Sequence, residues 1–555
     1  MNSLDWLFLI GTLLLIIIYG IWKTRKQNNA KSYIKGGDDK WLTVGLGVMA
    51  TQASAITFLS ATGQGFENGM SFIQFYFGLP IAIVVICIFF IPAYYKSKAY
   101  TAYEFLEGRF GMPTRLLTAF MFLISRSVAA GITIYAPSIV LSTALGWNLS
   151  LTNLIIGVLV VLYTVSGGTK AVSVTQKQQM TVILLGMFIA FLLMLDGLPE
   201  GIGLKESVEI AGQSGRMNLI DLSFDPNNRY TLWSGLTGGF FLMLSYFGTD
   251  QSQVQRYLSG ANINQSKFGL IFNGLLKLPM QFFILFCGVL LFVFFQFNPS
   301  PIHFNQQLSA NKFATSYPQE FEAYNVKLKK IQSEKSVLLL QSDYANFKRL
   351  AADERNLRAA YKTLLEEKLN IKKDKTKDTD YVFLHFILHY LPHGLIGLLL
   401  AVILCAAMSS TSGELNSLAA TTVVDYYNRL GKDKSRFADI RISRAFTIMW
   451  GIVAIAFAQS AQMFENLIQM VNILGSLFYG PILGVFLCAL MLRQVSGKSV
   501  FYGLLFGELV VFLVYFNFEI SFLWLNPLGC FAVMAFALIF SRISKSLVGR
   551  ALERD

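Results

Sequence analysis

Two short stretches of this sequence concentrate small and hydroxylated residues inside otherwise apolar blocks. Residues 50–57 read ATQASAIT and are flanked by Gly45, Gly47 and Gly63. Residues 405–417 read CAAMSSTSGELNS and place Ser409, Ser410 and Ser412 close together. A hard cation prefers neutral carbonyl and hydroxyl oxygens, and a helix that unwinds over 50–57 would present carbonyls to one. Close helix packing in a membrane favours the same small residues, so composition alone leaves both readings open. Glu414 stands one turn beyond Ser410; an acid in an apolar segment is expensive and marks either a proton acceptor or a partner for a basic residue. His385, His389 and His393 recur at four-residue steps, a spacing that invites a metal reading. Pro392 interrupts them and no further ligand stands nearby, so interfacial histidines are the better reading. The cysteines at 87, 287, 405, 488 and 530 lie in apolar blocks without ligand spacing and read as packed thiols.

The elements that must hold these groups are membrane helices. Of 555 residues 54% are hydrophobic and 14% charged, against about a quarter charged in soluble proteins. The apolar residues form blocks near the ~20 residues that a ~30 Å bilayer core requires. Lipid offers no partner to an open backbone, and a β-barrel would alternate over ~10-residue segments, so the spans are helical. Thirteen are expected, at about 4–22, 43–63, 72–95, 115–144, 150–165, 179–196, 232–250, 268–297, 383–427, 442–461, 464–491, 499–517 and 521–541. The 383–427 block exceeds one crossing and should continue as helix beyond the membrane. Residues 1–22 lack a basic residue ahead of the apolar run and a small-residue cleavage site, and read as a retained first helix.

Basic residues sort the loops. Loop 23–42 carries six Lys/Arg, 96–114 three, 428–441 five and the tail after 541 four, while 64–71, 145–149, 462–463 and 518–520 carry none. This places the N-terminus outside and the C-terminus in the cytoplasm of a cell-membrane protein. The net charge of +13 thus follows membrane topology, and no nucleic-acid partner is implied. The expected organisation is membrane spans over 1–297, a polar extracytoplasmic insertion over 298–382, further spans over 383–545 and a short tail over 546–555. Within the insertion Leu340, Tyr344, Phe347, Leu350, Leu357, Tyr361 and Leu364 recur at three- and four-residue steps, the pattern of an amphipathic helical hairpin. Its Lys372–Lys377 tract reads as a solvated helix end, with a partner-docking face as the other reading.

Several motifs, in order, resemble the sodium/solute symporter family: residues 101–111 (TAYEFLEGRFG), 163–179 (YTVSGGTKAVSVTQKQQ), 250–259 (DQSQVQRYLS), 391–410 (LPHGLIGLLLAVILCAAMSS) and 415–425 (LNSLAATTVVD). Residues 134–141 (IYAPSIVL) with VQRYLS resemble the branch of iodide, monocarboxylate and multivitamin symporters. The resemblance implies an all-α polytopic LeuT-type fold, two inverted repeats of five helices in spans two to six and seven to eleven. It also implies sodium as coupling ion, no other cofactor, and a sodium site of Ala50, Ala53 and Ala406 carbonyls with Ser409 and Ser410 hydroxyls. Where many members carry an acid after the Thr of the GG-K-AV motif, this chain has Gln176, which puts a second sodium site in doubt.

For the solute, Ile56 and Thr57 stand where sugar-carrying members have polar residues, which weakens a sugar reading. Arg126 and Lys277 lie inside apolar spans; either snorkels to the interface or faces the solute path. A cavity-facing cation would favour a small organic or inorganic anion, with Gln52, Thr57, Gln74 and Tyr76 as polar contacts. Sodium-coupled import by alternating access is therefore expected, with proton coupling as a near variant. A sensor built on a transporter fold ranks lower, and no constellation of catalytic side chains supports an enzyme.

Overall fold

A computed structural model describes residues 1–24, 39–371, 376–430, 440–460 and 467–552. Its regular elements are helices, with one isolated bridge between Asp39 and Gly260. Among the described residues ten helices are long and apolar enough to cross a bilayer, and Ser3–Ile16 is a shorter apolar helix. The sequence predicts thirteen spans; the first, second and seventh of these are short or divided helices and do not stand among the ten in their expected form. The second span divides into Trp41–Gln52 and Ala55–Asn68, neither long enough alone. The seventh ends at Thr249, where Asp250 turns the chain into a separate buried helix, Gln251–Leu258.

Side-chain contacts reveal reversals that helix boundaries hide. Leu149–Asp196 is one helical run of 48 residues, about 70 Å if straight. The Tyr163 and Thr175 hydroxyls nevertheless touch, whereas twelve residues of straight helix would separate them by ~18 Å. The chain therefore turns back between them, as two separate crossings require. Ala55–Ser97 reverses likewise: Ile263–Phe297 meets Tyr95 near its start, through Ser266, and Phe66 near its end, through Phe292. The turn occurs at Gly69, whose φ of +73° suits glycine and whose Cβ would lie 2.3 Å from the Arg216 carbonyl.

Ala55–Asn68 and Ile263–Phe297 run side by side in the same direction. A Cβ on Gly288 would meet the Thr62 carbonyl at 2.1 Å, and one on Gly65 the Leu285 carbonyl at 2.2 Å. Missing side chains thus set this contact, as is usual between membrane helices. One apolar core joins most spans, and large exposed apolar residues such as Leu15, Phe188, Leu275 and Phe516 cover the outside, as a lipid-facing surface requires.

The 383–427 block is two helices. Val382–Tyr390 stops at Pro392 and Gly394, the latter at φ +92°, before Leu395–Thr421 begins. The insertion forms two antiparallel helices, Pro318–Leu340 and Tyr344–Leu369. They share a small core with Ile302, Phe313, Leu328, Tyr361 and Leu365. Glu354 joins them, accepting from Lys335 at 2.5 Å and Arg358 at 2.9 Å. Of the apolar stripe, Phe347 and Tyr361 are buried while Leu340 is exposed. Residues 372–375 of the lysine tract lie outside the described residues.

A candidate cation and solute site

The break in the second span falls at Ala53 and Ser54, with ψ of 68° and 171°. Ending a helix there frees carbonyls that would otherwise accept from residues four positions on. Some are taken locally: Met49 accepts from the Ala53 amide at 2.9 Å, and Gln52 from the Thr57 hydroxyl at 2.9 Å. The Ala50 carbonyl instead faces the serine helix, Leu395–Thr421, where the Ser409 hydroxyl reaches it at 3.5 Å. One position on, Ser410 donates to the Ala406 carbonyl at 2.8 Å. Ala50, Ala53, Ala406, Ser409 and Ser410 are all at most 1% exposed. The two segments singled out in the sequence thus meet as a buried group of neutral oxygens, without thiolate or imidazole. That donor set suits a small hard monovalent cation.

Beside it is a cavity of about 120 Å³, walled by both sides of the break and by Tyr76, Arg126, Lys277, Ser410, Glu414 and Tyr479. Gln52 and Thr57 also line it. Gln74 does not belong. Its amide nitrogen donates to the Tyr230 carbonyl at 2.8 Å and its oxygen accepts from the Asp221 amide at 2.9 Å. It fastens the 197–231 loop, and the expectation of a solute contact there is corrected.

The two intramembrane cations have different surroundings. Arg126 is 3% exposed and bonds Asp250, Glu414 at 3.0 Å and the Tyr479 hydroxyl. Thr133 donates to the other Glu414 oxygen at 3.0 Å, and Tyr479 to Asp250 at 3.0 Å. Arg126 therefore does not snorkel; two acids absorb its charge, as burial demands. This also resolves Glu414, which is an ion-pair partner here. Lys277, also 3% exposed, has its ammonium 5.9 Å from the Tyr76 ring centroid, and among the described residues no acid lies within ion-pair distance. Gln176 is buried, donating to the Thr51 hydroxyl at 3.3 Å while its own oxygen has no hydrogen-bond partner among the described residues. His393 meets Asp5 at 3.1 Å, and His385 stacks on His389; the three rings do not converge.

Sequence reasoning missed Asp250, Tyr479 and Thr133. Asp250 carried a readable signal, an acid opening DQSQVQRYLS directly after an apolar span. Its carboxylate caps the next helix at the Ser252 amide, 2.8 Å away, while its other oxygen holds Arg126. Tyr479 and Thr133 carried none, since only the fold brings them to Arg126.

The model of the sodium:solute symporter family matches residues 33–311 and 365–507. The chain belongs to that family. Sodium symporters of this family are secondary transporters rather than enzymes, and the many apolar helices fit a multi-pass membrane protein. The symporter is 25% identical to sodium-coupled monocarboxylate transporter 2 of Bos taurus over 519 residues, 92% of this chain and 73% of that one. It is 31% identical to the human sodium/iodide cotransporter over 272 residues, 48% of this chain and 42% of the relative. It is 23% identical to the sodium/sialic acid symporter NanT of Aliivibrio fischeri, covering 96% and 92%. Its fold matches a substrate-bound, outward-open sodium-coupled sialic acid symporter with a TM-score of 0.76 at 22% identity, over 98% of each chain. The family match skips 312–364, which contains most of the helical hairpin.

Proposed function

We propose that this symporter imports a small organic anion, most simply a carboxylate, together with sodium by alternating access. The observation that carries the solute class is Lys277, a cavity-wall ammonium with no acid within ion-pair distance among the described residues, beside an Arg126 whose guanidinium is already engaged by Asp250 and Glu414. Charge complementarity then selects an anion, with Tyr76, Thr57 and Gln52 within the same wall. The relatives named for monocarboxylates, iodide and sialic acid carry anions by their names. A cavity of about 120 Å³ is below the ~300–1,000 Å³ usual for drug-sized ligands, which favours a small solute.

Sodium is held by the carbonyls of Ala50, Ala53 and Ala406 and the hydroxyls of Ser409 and Ser410. In the LeuT-type arrangement spans two to six and seven to eleven are inverted repeats. The breaks at Ala53–Ser54 and at Asp250 support this, each falling in the first helix of its set. Thirteen crossings with the N-terminus outside put the hairpin on the extracytoplasmic face. Neutral Gln176 favours one sodium. A monoanion entering with one sodium moves no net charge, so it forgoes the ~2.3 kcal/mol per 100 mV of the membrane potential and is driven by the sodium gradient alone.

Uptake of labelled carboxylates into proteoliposomes, with sodium or choline outside, tests the reading. Ser410→Ala is expected to raise the sodium concentration for half-maximal uptake about tenfold, the loss of one oxygen ligand. An unchanged sodium dependence would remove Ser410 from the site, and uptake indifferent to choline replacement would remove sodium coupling.

A further inference from the structure

Between the hairpin and the membrane helices lies a second cavity, of about 530 Å³, within the ~300–1,000 Å³ range of small-molecule sites. Its walls carry six basic side chains against three acidic ones, so its field is positive. Half of those bases are paired: Lys335 and Arg358 share Glu354, and Lys362 holds Asp378 at 2.7 Å. Arg216, Lys348 and Arg355 are left, none with an acid within ion-pair distance among the described residues. Lys348 donates to the Gln213 side chain at 3.2 Å, and Glu67, the third acid, accepts from Thr379 at 2.6 Å. Arg216 is fixed in place, its Nε donating to the Phe66 carbonyl at 2.9 Å and its guanidinium 3.7 Å from the Phe292 ring centroid. Burial, with Arg355 adding repulsion and against the weaker opposing pull of Glu67 and Glu354, brings its pKa down to about 10. An anion between the two guanidiniums would relieve that repulsion, and guanidinium forks match carboxylate geometry. Phe66, Phe292, Phe295 and Phe347 supply an apolar floor beside them.

We propose that this cavity is a second solute site, which takes an organic monoanion with an aromatic or aliphatic body. The carboxylate sits between Arg216 and Arg355, and the body lies on Phe292 and Phe295. The site is separate from the central cavity, with which it shares no wall residue. Thr57 and Phe66 lie nine residues apart on one helix and Lys277 and Phe292 fifteen on its neighbour, about 14 and 22 Å. No small ligand spans that gap, and the sodium ligands do not reach the outer cavity. The outer cavity is therefore a site of its own, built without any of the sodium ligands or central-cavity residues.

The test is equilibrium binding of labelled benzoate to the full chain in nanodiscs, in sodium-free choline buffer, with empty nanodiscs subtracted. Saturable binding with Kd below about 1 mM is expected. Arg355→Gln, a change at an exposed side chain that leaves folding intact, weakens it about tenfold; Arg355→Lys restores part of the loss, and Arg216→Gln repeats it. Benzamide and sulfate fail to compete, and Lys277→Gln leaves this binding in place. The proposal is overturned by absence of saturable binding, by full binding in Arg355→Gln, or by benzamide or sulfate competing as well as benzoate. Loss of binding in Lys277→Gln would place the ligand in the central cavity and equally overturn it.

Discussion

Lys277 and Arg126 share a cavity wall, yet their substitutions should read out differently. Lys277→Gln removes a charge that, among the described residues, has no acid within ion-pair distance. The half-saturating concentration of a carboxylate should rise at least about tenfold, while sodium dependence of the residual uptake stays as it was. Equal losses in solute and sodium affinity would contradict a solute-anchoring role. Arg126→Gln instead strands Asp250 and Glu414 in a buried wall. Removing one partner of such a network costs about 3–5 kcal/mol, so the thermal midpoint should fall. Adding Glu414→Gln should recover part of it, because Arg126 and Glu414 are directly paired. A double variant no better than the single one would show that the pair contributes nothing.

At the scale of elements, this protein depends on where helices stop and on how closely they approach. The Thr57 hydroxyl bridges the break to the Gln52 carbonyl, and Ala50 crosses to Ser409. The interruption is therefore held from both sides. The neighbouring pair Ala55–Asn68 and Ile263–Phe297 is held by absent side chains. Gly288→Ala would drive a methyl to 2.1 Å from the Thr62 carbonyl, and overpacking of this kind costs typically about 1–3 kcal/mol. The variant should melt earlier and reach the membrane in lower yield. Gly11→Ala, with nothing within 4 Å of its new methyl, serves as the control and should be neutral.

For the whole molecule, the hairpin is the part whose stability should respond to pH. Burial alone would raise the pKa of Glu354, but Arg358 and Lys335 outweigh it and hold the carboxyl at about 2. A carboxyl depressed in the folded state stabilises above its unfolded value of about 4.5 and loses that contribution as pH falls toward 2. Asp378 shifts the same way: burial opposes ionisation, yet His303 and Lys362 hold its carboxyl well below the usual range. Hydrogen-exchange protection factors, corrected for the intrinsic rate at each pH, should therefore fall over Pro318–Leu340 and Tyr344–Leu369 between about pH 4.5 and pH 3, ahead of the membrane helices. Unchanged protection of the hairpin at pH 3 would show that the Glu354 cluster does not hold it.

The membrane class, most crossings, the hairpin and the two segments that meet at the proposed cation site were legible in the sequence. Each is written in local signals: runs long enough for a bilayer, three- and four-residue apolar steps, and hydroxyls in excess of packing needs. The break at Asp250 and the reversal between Tyr163 and Thr175 were weaker, because a helix end inside lipid leaves little compositional trace. Gln74 shows the limit most plainly, since a glutamine among aromatic residues looks the same whether it faces a solute or ties down a loop. Only the tertiary structure decided that Arg126 is neutralised while Lys277 is not. The partners that make the difference, Asp250, Glu414 and Tyr479, stand between 124 and 353 residues away. Periodicity reports the face of a helix, but pairing of buried charge depends on which distant helices the fold brings against it.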